Sequence, residues 1–165
     1  MLGQLKIDDK SNEITAIPLL LDTLIEGSVI SIDAMGCQKN IAEKVIEKKA
    51  DYVFGLKGNQ GRLQDEVEDF FKTAEGYDFF NVMYTEENEI DSGDGRIEER
   101  HCFAISSTYI DSAQDWRGAN SVVMMNSKRW VEGALHTETR YYLSSLPPEA
   151  KSIGADSSTQ ILNLG

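Results

Sequence analysis

The stretch from Val29 to Gln38 constrains the fold of this 165-residue chain more than any other. Its first part, Val29 to Ala34, is an apolar run with little alternation, which is typical of a strand buried on both faces of a parallel sheet. The run includes Asp33 at its end, and Gly36 then turns the chain into a polar segment that can begin a helix. Because functional groups collect at the carboxyl ends of parallel strands, Asp33 is the first candidate for a functional residue.

The neighbouring segments predict an α/β protein. Apolar residues at helical spacing predict helices at Thr15 to Ile25, Lys39 to Lys49 and Leu63 to Ala74. A second buried strand, Asp51 to Leu56, lies between the last two. Helices that alternate with buried strands are the order of a parallel sheet with covering helices, to which we assign residues 1–75.

The pattern changes after residue 76. Residues 77–95 are acidic and are predicted to form loops. Residues 96–146 alternate as antiparallel strands do and predict a β-meander. Its strands are Arg96 to Ile105, Ser121 to Val131 and Thr137 to Leu146, with a turn at Glu132-Gly133. Residues 151–165 lack periodicity and are predicted to form a loose C-terminal tail, which leaves one domain over residues 1–150.

Composition limits the classes of partner. The chain has 28 acidic and 16 basic side chains and a formal net charge of −12. Because Lys and Arg hold phosphate backbones, a chain this acidic is expected to bind nucleic acid weakly, although clustered carboxylates suit a divalent cation. No apolar run is long enough to span a bilayer, and Met1 to Lys10 does not have the pattern of a secretory signal. Cys37 and Cys102 do not make a disulfide framework, so we expect a cytoplasmic protein.

Two interpretations of Asp33 stay open from the pattern alone. It can cap the next helix or stabilise the turn at Met35-Gly36. It can also be a metal-binding carboxylate, but two cations that flank a scissile phosphate need further carboxylates. Lys57-Gly58-Asn59-Gln60 follows the second strand and is either an ordinary turn or a turn that presents backbone amides and a lysine to an anion.

The later charged residues give weaker signals. Arg96, Glu98 and Arg100 share one face of a strand, which favours a solvated row of ion pairs over a role in ordering a site. His101 and Cys102 are adjacent on a strand and point to opposite faces, which argues against a His/Cys metal site.

Five segments together resemble the H-repeat-associated family of bacterial insertion-sequence transposases, and the resemblance covers residues 2–153. The segments are Asn12 to Pro18, Ile32 to Gln38, Leu56 to Gln60, Gly95 to Arg100 and Thr139 to Leu146. The resemblance implies a ribonuclease-H-like fold, of which the parallel sheet here is a part, and a DDE mechanism. In that mechanism two aspartates and one glutamate hold divalent cations, usually Mg²⁺, for attack by water and then by a DNA 3′-hydroxyl on phosphodiesters.

The resemblance also assigns residues. It implies that Asp33 is the second aspartate of the triad and a metal ligand, and we assign Lys57, Asn59 and Gln60 as candidate substrate-binding residues. The family's first aspartate lies upstream of the segment that matches Leu2-Gly3-Gln4. Its glutamate lies just past residue 153, where residues 155–162 do not match, and Glu98 does not replace it because its segment is a strand. We therefore expect a truncated DDE transposase domain that is inactive alone and binds DNA weakly or not at all.

Two further expectations concern partners. Without the family's first strand, Val29 to Ala34 would have an open edge, so we expect another strand to cover it, from this chain or from a second copy in a homo-oligomer. Two other functions stay open: an interaction module that binds intact transposase through that edge, and an unrelated metal-dependent hydrolase that uses Asp33 and the acidic region.

Overall fold

The computed structural model describes residues 21–32, 37–57, 60–151 and 161–164. The described residues form one mixed sheet in the spatial order β3-β4-β5-β6-β2-β1-β7, together with two helices that lie wholly within them. The strands are β1 (Val29–Ile32), β2 (Asp51–Leu56), β3 (Tyr84–Gly93), β4 (Arg96–Ser106), β5 (Ser121–Val131), β6 (Ala134–Ser144) and β7 (Ile161–Leu164). The helices are α1 (Lys39–Glu47) and α2 (Gly61–Gly76).

The predicted α/β class is confirmed. β1 and β2 are parallel neighbours, with Ile32 opposite Phe54, and α1 connects them. β4 to β6 form the predicted antiparallel meander, and β3 adds a further antiparallel strand to it. The two parts are continuous, because β2 pairs antiparallel with β6, with Phe54 opposite Leu143.

The helices and the sheet enclose one main core. α1 and α2 both present buried apolar side chains at helical spacing, as the sequence predicts. The strands contribute alternate residues to the same cluster, which include Ile30, Ile32, Tyr52, Phe54, Phe103, Ile105, Val122, Met124 and Leu143. A smaller cluster, Cys102, Ala104, Val123 and Ala150, lies on the opposite face of the sheet. Cys37 belongs to the main cluster, so the two buried thiols are on different faces.

The acidic region is a correction to the sequence prediction. Residues 84–93, expected within a loop, form the ten-residue edge strand β3, which pairs with β4 along its whole length. Nearly all of β3 is exposed, so its acidic side chains remain in water. Composition misled the prediction because an exposed edge strand needs no apolar alternation, and charges on an edge strand deter unwanted pairing.

The C-terminal segment is a second correction. Residues 161–164, expected in a loose tail, form β7, which pairs parallel with β1 from Val29↔Ile161 to Ile32↔Leu164. The expectation that another strand covers the outer edge of β1 is confirmed, and the covering strand comes from this chain.

Other boundaries differ by a few residues. The last meander strand is Ala134–Ser144 rather than Thr137 to Leu146, and the turn at Glu132-Gly133 is confirmed, with both residues at positive φ. All but the end of the predicted helix Thr15 to Ile25 lies outside the described residues. None of the helices in the described ranges is long and apolar enough to cross a membrane.

Candidate active site

The candidate site lies at the carboxyl ends of the parallel strands β1 and β2. In the sequence, residues 33–38 connect β1 to α1 and residues 57–60 connect β2 to α2. Asp33 and Asn59, two of the four candidate residues, lie outside the described residues, whereas Lys57 and Gln60 are described. Cys37 and Gln60, which precede α1 and α2, contact each other at the ends of these strands, so the amino ends of both helices face this edge of the sheet and favour negative charge there.

Cys37 fixes the end of the loop that carries Asp33. Its Sγ lies 3.5 Å from the carbonyl oxygen of Ile32 and 3.3 Å from that of Gly55. A thiol is a weak hydrogen-bond donor, but this one is buried and reaches the ends of both parallel strands. Cys37, the first described residue after β1, therefore contacts the last residue of that strand.

Gln60 connects the two loops. Its Nε2 donates to the carbonyl oxygen of Cys37 at 3.1 Å, and its Oε1 accepts from the backbone N–H of Lys57 at 3.1 Å. Its own backbone N–H donates to the carbonyl oxygen of Lys57 at 2.9 Å, which closes the turn before α2. The structure thus brings Gln60 and Lys57 beside Cys37, which follows the Asp33 segment in the sequence.

The amino end of α1 is formed by the backbone. Gln38 is extended and caps the helix without a side-chain bond, and its carbonyl oxygen accepts from the N–H groups of Ile41 and Ala42 at 3.0 and 3.1 Å. Neither α1 nor α2 has an acidic residue in its first turn. The positive ends of both helix dipoles are therefore not neutralised by side chains in those turns.

The meander extends past this edge. β2 pairs with β6 only as far as Leu56↔Tyr141, so Ala134 to Arg140 and the strand segments paired with them project beyond the carboxyl end of β2. Tyr141, at the base of this projection, is partly buried. Burial, together with the nearby carboxylates of Glu68 and Glu75, raises the pKa of its phenol, so Tyr141 stays protonated near neutral pH.

Glu98 is remote from the Asp33 loop. It lies on β4, four strand positions from β1, which is roughly 19 Å at the usual spacing of strands. Its carboxylate lies 3.8 Å from the guanidinium of Arg129, and Arg100 on the same face lies 3.5 Å from Glu89. The row is therefore ion-paired with neighbouring strands, and Glu98 is not brought to the site.

Carboxylates are scarce at this edge. A hard divalent cation prefers several oxygen ligands, chiefly carboxylates. Residues 32–38 and 56–61 contain one carboxylate, Asp33. In the described ranges, no group of three or more His, Cys, Asp or Glu side chains could hold a metal ion. The described side chains at this edge thus do not fit a Mg²⁺ site by themselves.

Comparison with known proteins adds a family to this geometry. The profile of a family described as "Transposase DDE domain" matches residues 1–144. The chain belongs to the DDE transposase family. Members of this family generally use divalent metal ions, and the intact enzymes act on DNA.

Several relatives support the assignment. The chain is 36% identical over 147 residues to an uncharacterised protein from the dhlA 3′ region of Xanthobacter autotrophicus, a match that covers 88% of this chain and 48% of that protein. It is 40% identical over 152 residues to the Escherichia coli K12 protein named "H repeat-associated putative transposase YhhI", with 88% of this chain and 39% of that protein covered. Over 76 residues, 46% of this chain and 30% of that protein, it is 57% identical to the similarly named YbfD. The chain thus spans less than half the length of these relatives, and no solved structure was found to match it.

Sequence reasoning missed the bridge between the two loops. The substrate-binding role of Gln60 stays a prediction, whereas its contact with Cys37, and the contact of Cys37 with Gly55, were not predicted. The available signal was their position, since each stands within a few residues of a strand end and next to a helix start. The side-chain direction that makes the bridge depends on the packing of β1 beside β2, which a linear pattern does not contain.

Proposed function

We propose that this chain forms part of the catalytic domain of a DDE transposase, in which Asp33 is one of the metal-binding carboxylates. The supporting observation is that residues 1–144 match the DDE domain while Asp33 directly follows β1, a strand paired on both sides. A carboxylate that directly follows such a strand stands at the edge where α/β enzymes bind their substrates. When bound by several carboxylates, divalent cations, Mg²⁺ in our proposal, activate the attacking hydroxyl and stabilise the leaving oxygen.

The turn after β2 has a separate proposed role. Lys57 is exposed, and its loop is bridged to the loop of Asp33 through Gln60. We assign Lys57 and Asn59 to contacts with the DNA phosphates that flank the scissile bond, where a cation and an amide donor are suitable partners. Gln60 belongs to the same turn.

The 165-residue polypeptide is proposed to be inactive by itself. Two-metal phosphodiester chemistry needs several carboxylates, and the resemblance identifies one of the three in this sequence, Asp33. The experiment is a nicking assay on supercoiled plasmid with Mg²⁺ or Mn²⁺. We expect no cleavage above the metal-only control. Cleavage that disappears in Asp33→Asn, but persists in the control Asp115→Asn, would contradict inactivity.

The role of Asp33 as a metal ligand needs a test that does not depend on cleavage of DNA. Fe²⁺ in place of Mg²⁺, with ascorbate and peroxide, cuts a polypeptide close to the bound iron. Because a single carboxylate holds a cation only weakly, Fe²⁺ is supplied in large excess. We then expect a faint cut near Asp33 in the 165-residue chain, its loss in Asp33→Asn, and its retention in Asp115→Asn. The same cut in Asp33→Asn would show that Asp33 does not bind the cation.

A second candidate function is binding to another protein, which large exposed hydrophobic residues favour. After α2, Tyr77, Phe80 and Met83 are 72%, 76% and 82% exposed. Co-purification with an intact relative, lost on Phe80→Ser, would support an interaction module. The metal-dependent hydrolase is disfavoured, because acidic β3 lies five strand positions from β1, roughly 24 Å.

A further inference from the structure

Gln60 directs both polar ends of its side chain toward the protein. The donor end reaches the carbonyl oxygen of Cys37 at 3.1 Å, and the acceptor end takes the N–H of Lys57 at 3.1 Å. A side chain used in this way has less capacity to contact DNA than an extended one. Its bonds instead join two segments that are 23 residues apart in sequence.

Cys37, which accepts the hydrogen bond from Gln60 through its carbonyl oxygen, also contacts the sheet through its thiol. Its Sγ lies within 3.5 Å of the carbonyl oxygen of Ile32 and within 3.3 Å of that of Gly55, at the ends of β1 and β2. Cys37 is therefore joined to the sheet by its thiol and to Gln60 by its carbonyl oxygen. We call these contacts of Cys37, Gln60 and Lys57 the loop clamp.

The loop clamp requires an amide. It needs a donor toward the carbonyl of Cys37 and an acceptor toward the N–H of Lys57, and the glutamine amide supplies both. Glutamate has the same length but only accepts when ionised, so it would keep the contact with Lys57 and oppose the carbonyl of Cys37. Methionine has a similar length and would remove both bonds while filling similar space.

We propose that Gln60 is a positioning residue that holds Cys37 against the carboxyl ends of β1 and β2. Its consequence for metal binding rests on the proposed function, whereas the clamp itself does not. If Asp33 binds a cation, Gln60 supports that site by restraining Cys37, which stands four positions after Asp33 in the sequence. Gln60 is thereby separated from Lys57 and Asn59, which stay assigned to the DNA.

The chain contains an internal pair of probes for this proposal. Cys37 and Cys102 are both buried, at 5% and 4% exposure, but only Cys37 touches the clamp. A buried thiol reacts with iodoacetamide only when its surroundings open, so its alkylation rate in the native state reports the population of the opened form. Mass spectrometry of the two cysteine peptides gives both rates from one sample.

We expect Gln60→Met and Gln60→Glu to raise the alkylation rate of Cys37 about tenfold, which corresponds to about 1.4 kcal/mol, and to leave Cys102 unchanged. The matched control is Gln64→Glu, because Gln64 lies one turn further along α2 and bonds only Glu68 among the contacts found, at 2.8 Å. An unchanged Cys37 rate in both Gln60 variants would overturn the proposal. So would a parallel rise of both thiols, because it indicates general loosening.

The Fe²⁺ cleavage experiment separates the clamp from the proposed function. The alkylation test uses neither metal nor DNA, so it reports on the clamp alone. If Asp33 binds iron, the cut near Asp33 should weaken or move in Gln60→Met and stay unchanged in Gln64→Glu. A selective rise at Cys37 without any Asp33-dependent cut in the unsubstituted chain would support the clamp and contradict the metal role of Asp33. A cut that is the same in Gln60→Met would contradict the positioning role.

Discussion

At the scale of single residues, Gly118 has a tight steric requirement. Its φ is +76°, and a Cβ there would lie 2.6 Å from Cδ1 and 2.7 Å from Cγ1 of Ile46 on α1. We expect Gly118→Ala to lower the free energy of unfolding by about 2–3 kcal/mol, since strain at positive φ adds to overpacking. Urea denaturation followed by circular dichroism measures the change.

Gly133 provides the control for this prediction. It has a similar φ of +81°, but its surroundings are open, with nothing within 4 Å of an added Cβ. Gly133→Ala should therefore cost only the backbone strain, about 1 kcal/mol. Equal losses in the two variants would mean that Ile46 moves aside without cost. In that case, adding Ile46→Val to Gly118→Ala would leave the loss of stability caused by Gly118→Ala unchanged.

The sequence predicted some residue roles better than others. The burial of Ile41, Val45 and Val67 follows from helical spacing and is confirmed. The prediction that Asp33 follows a buried parallel strand also rests on a local pattern, the apolar run that precedes it. The bridge from Gln60 to Cys37 depends on two loops that meet only when β1 and β2 pair, and no local pattern reports such a meeting.

At the scale of elements, the predicted strands differ in how well their boundaries agree with the structure. β2 and β5 match their predicted bounds, because buried β2 and the half-buried β5 carry their signals in apolar residues. β3 was missed because an exposed strand gains its order from backbone pairing with β4 rather than from its own side chains. β7 was missed for a related reason, since a four-residue strand is defined mainly by its neighbour β1.

β7 gives the prediction at this scale. It covers the outer edge of β1, and an uncovered edge of a buried strand invites pairing with another chain. We expect the double substitution Leu162→Pro with Asn163→Pro to remove β7 from the sheet, because proline cannot donate to the ladder. The uncovered β1 should then promote dimers or larger aggregates, which size-exclusion chromatography with light scattering detects.

The alanine version of the same double substitution is the control, because it shortens the side chains and keeps both backbone N–H groups. Self-association in both versions would assign the effect to the side chains. A proline variant with the mass and stability of the unsubstituted chain would show that β1 does not depend on β7. Association through the edge of β1 was the expected route to a homo-oligomer, and in this structure β7 occupies that edge.

At the scale of the whole molecule, the arrangement of the sheet and the net charge have different consequences for binding of DNA. One continuous sheet places the candidate site beside a projecting antiparallel ribbon, the distal parts of β3 to β6, which extends past β2 on the same side. That arrangement places the ribbon next to the site. The net charge of −12 repels an anionic substrate.

The basic residues near the site act against this repulsion. Two of them lie beside carboxylates: Lys39 at the start of α1 is 3.8 Å from Asp115, and Arg62 at the start of α2 is 3.1 Å from Glu66. Such exposed pairs contribute little to stability, but each offsets a cation that would otherwise face phosphate. Lys57 also lies at this edge, whereas Lys48 follows the other end of α1 and lies 4.0 Å from Asp22.

We expect the 165-residue chain to bind duplex DNA no more tightly than weak non-specific binding, with Kd at or above about 10⁻⁴ M at physiological salt, because its acidic excess repels the phosphates. Fluorescence anisotropy over a range of salt concentrations measures this. Glu66→Gln and Asp115→Asn together remove the carboxylates beside two cations near the site and should strengthen binding at low salt with a steeper salt dependence. The same number of substitutions on β3, Glu86→Gln and Glu87→Gln, makes the same change in net charge far from the site. If both double variants strengthen binding equally, net charge governs it. Kd below about 10⁻⁶ M for the unsubstituted chain would contradict the prediction and indicate a local basic face at the ends of β1 and β2.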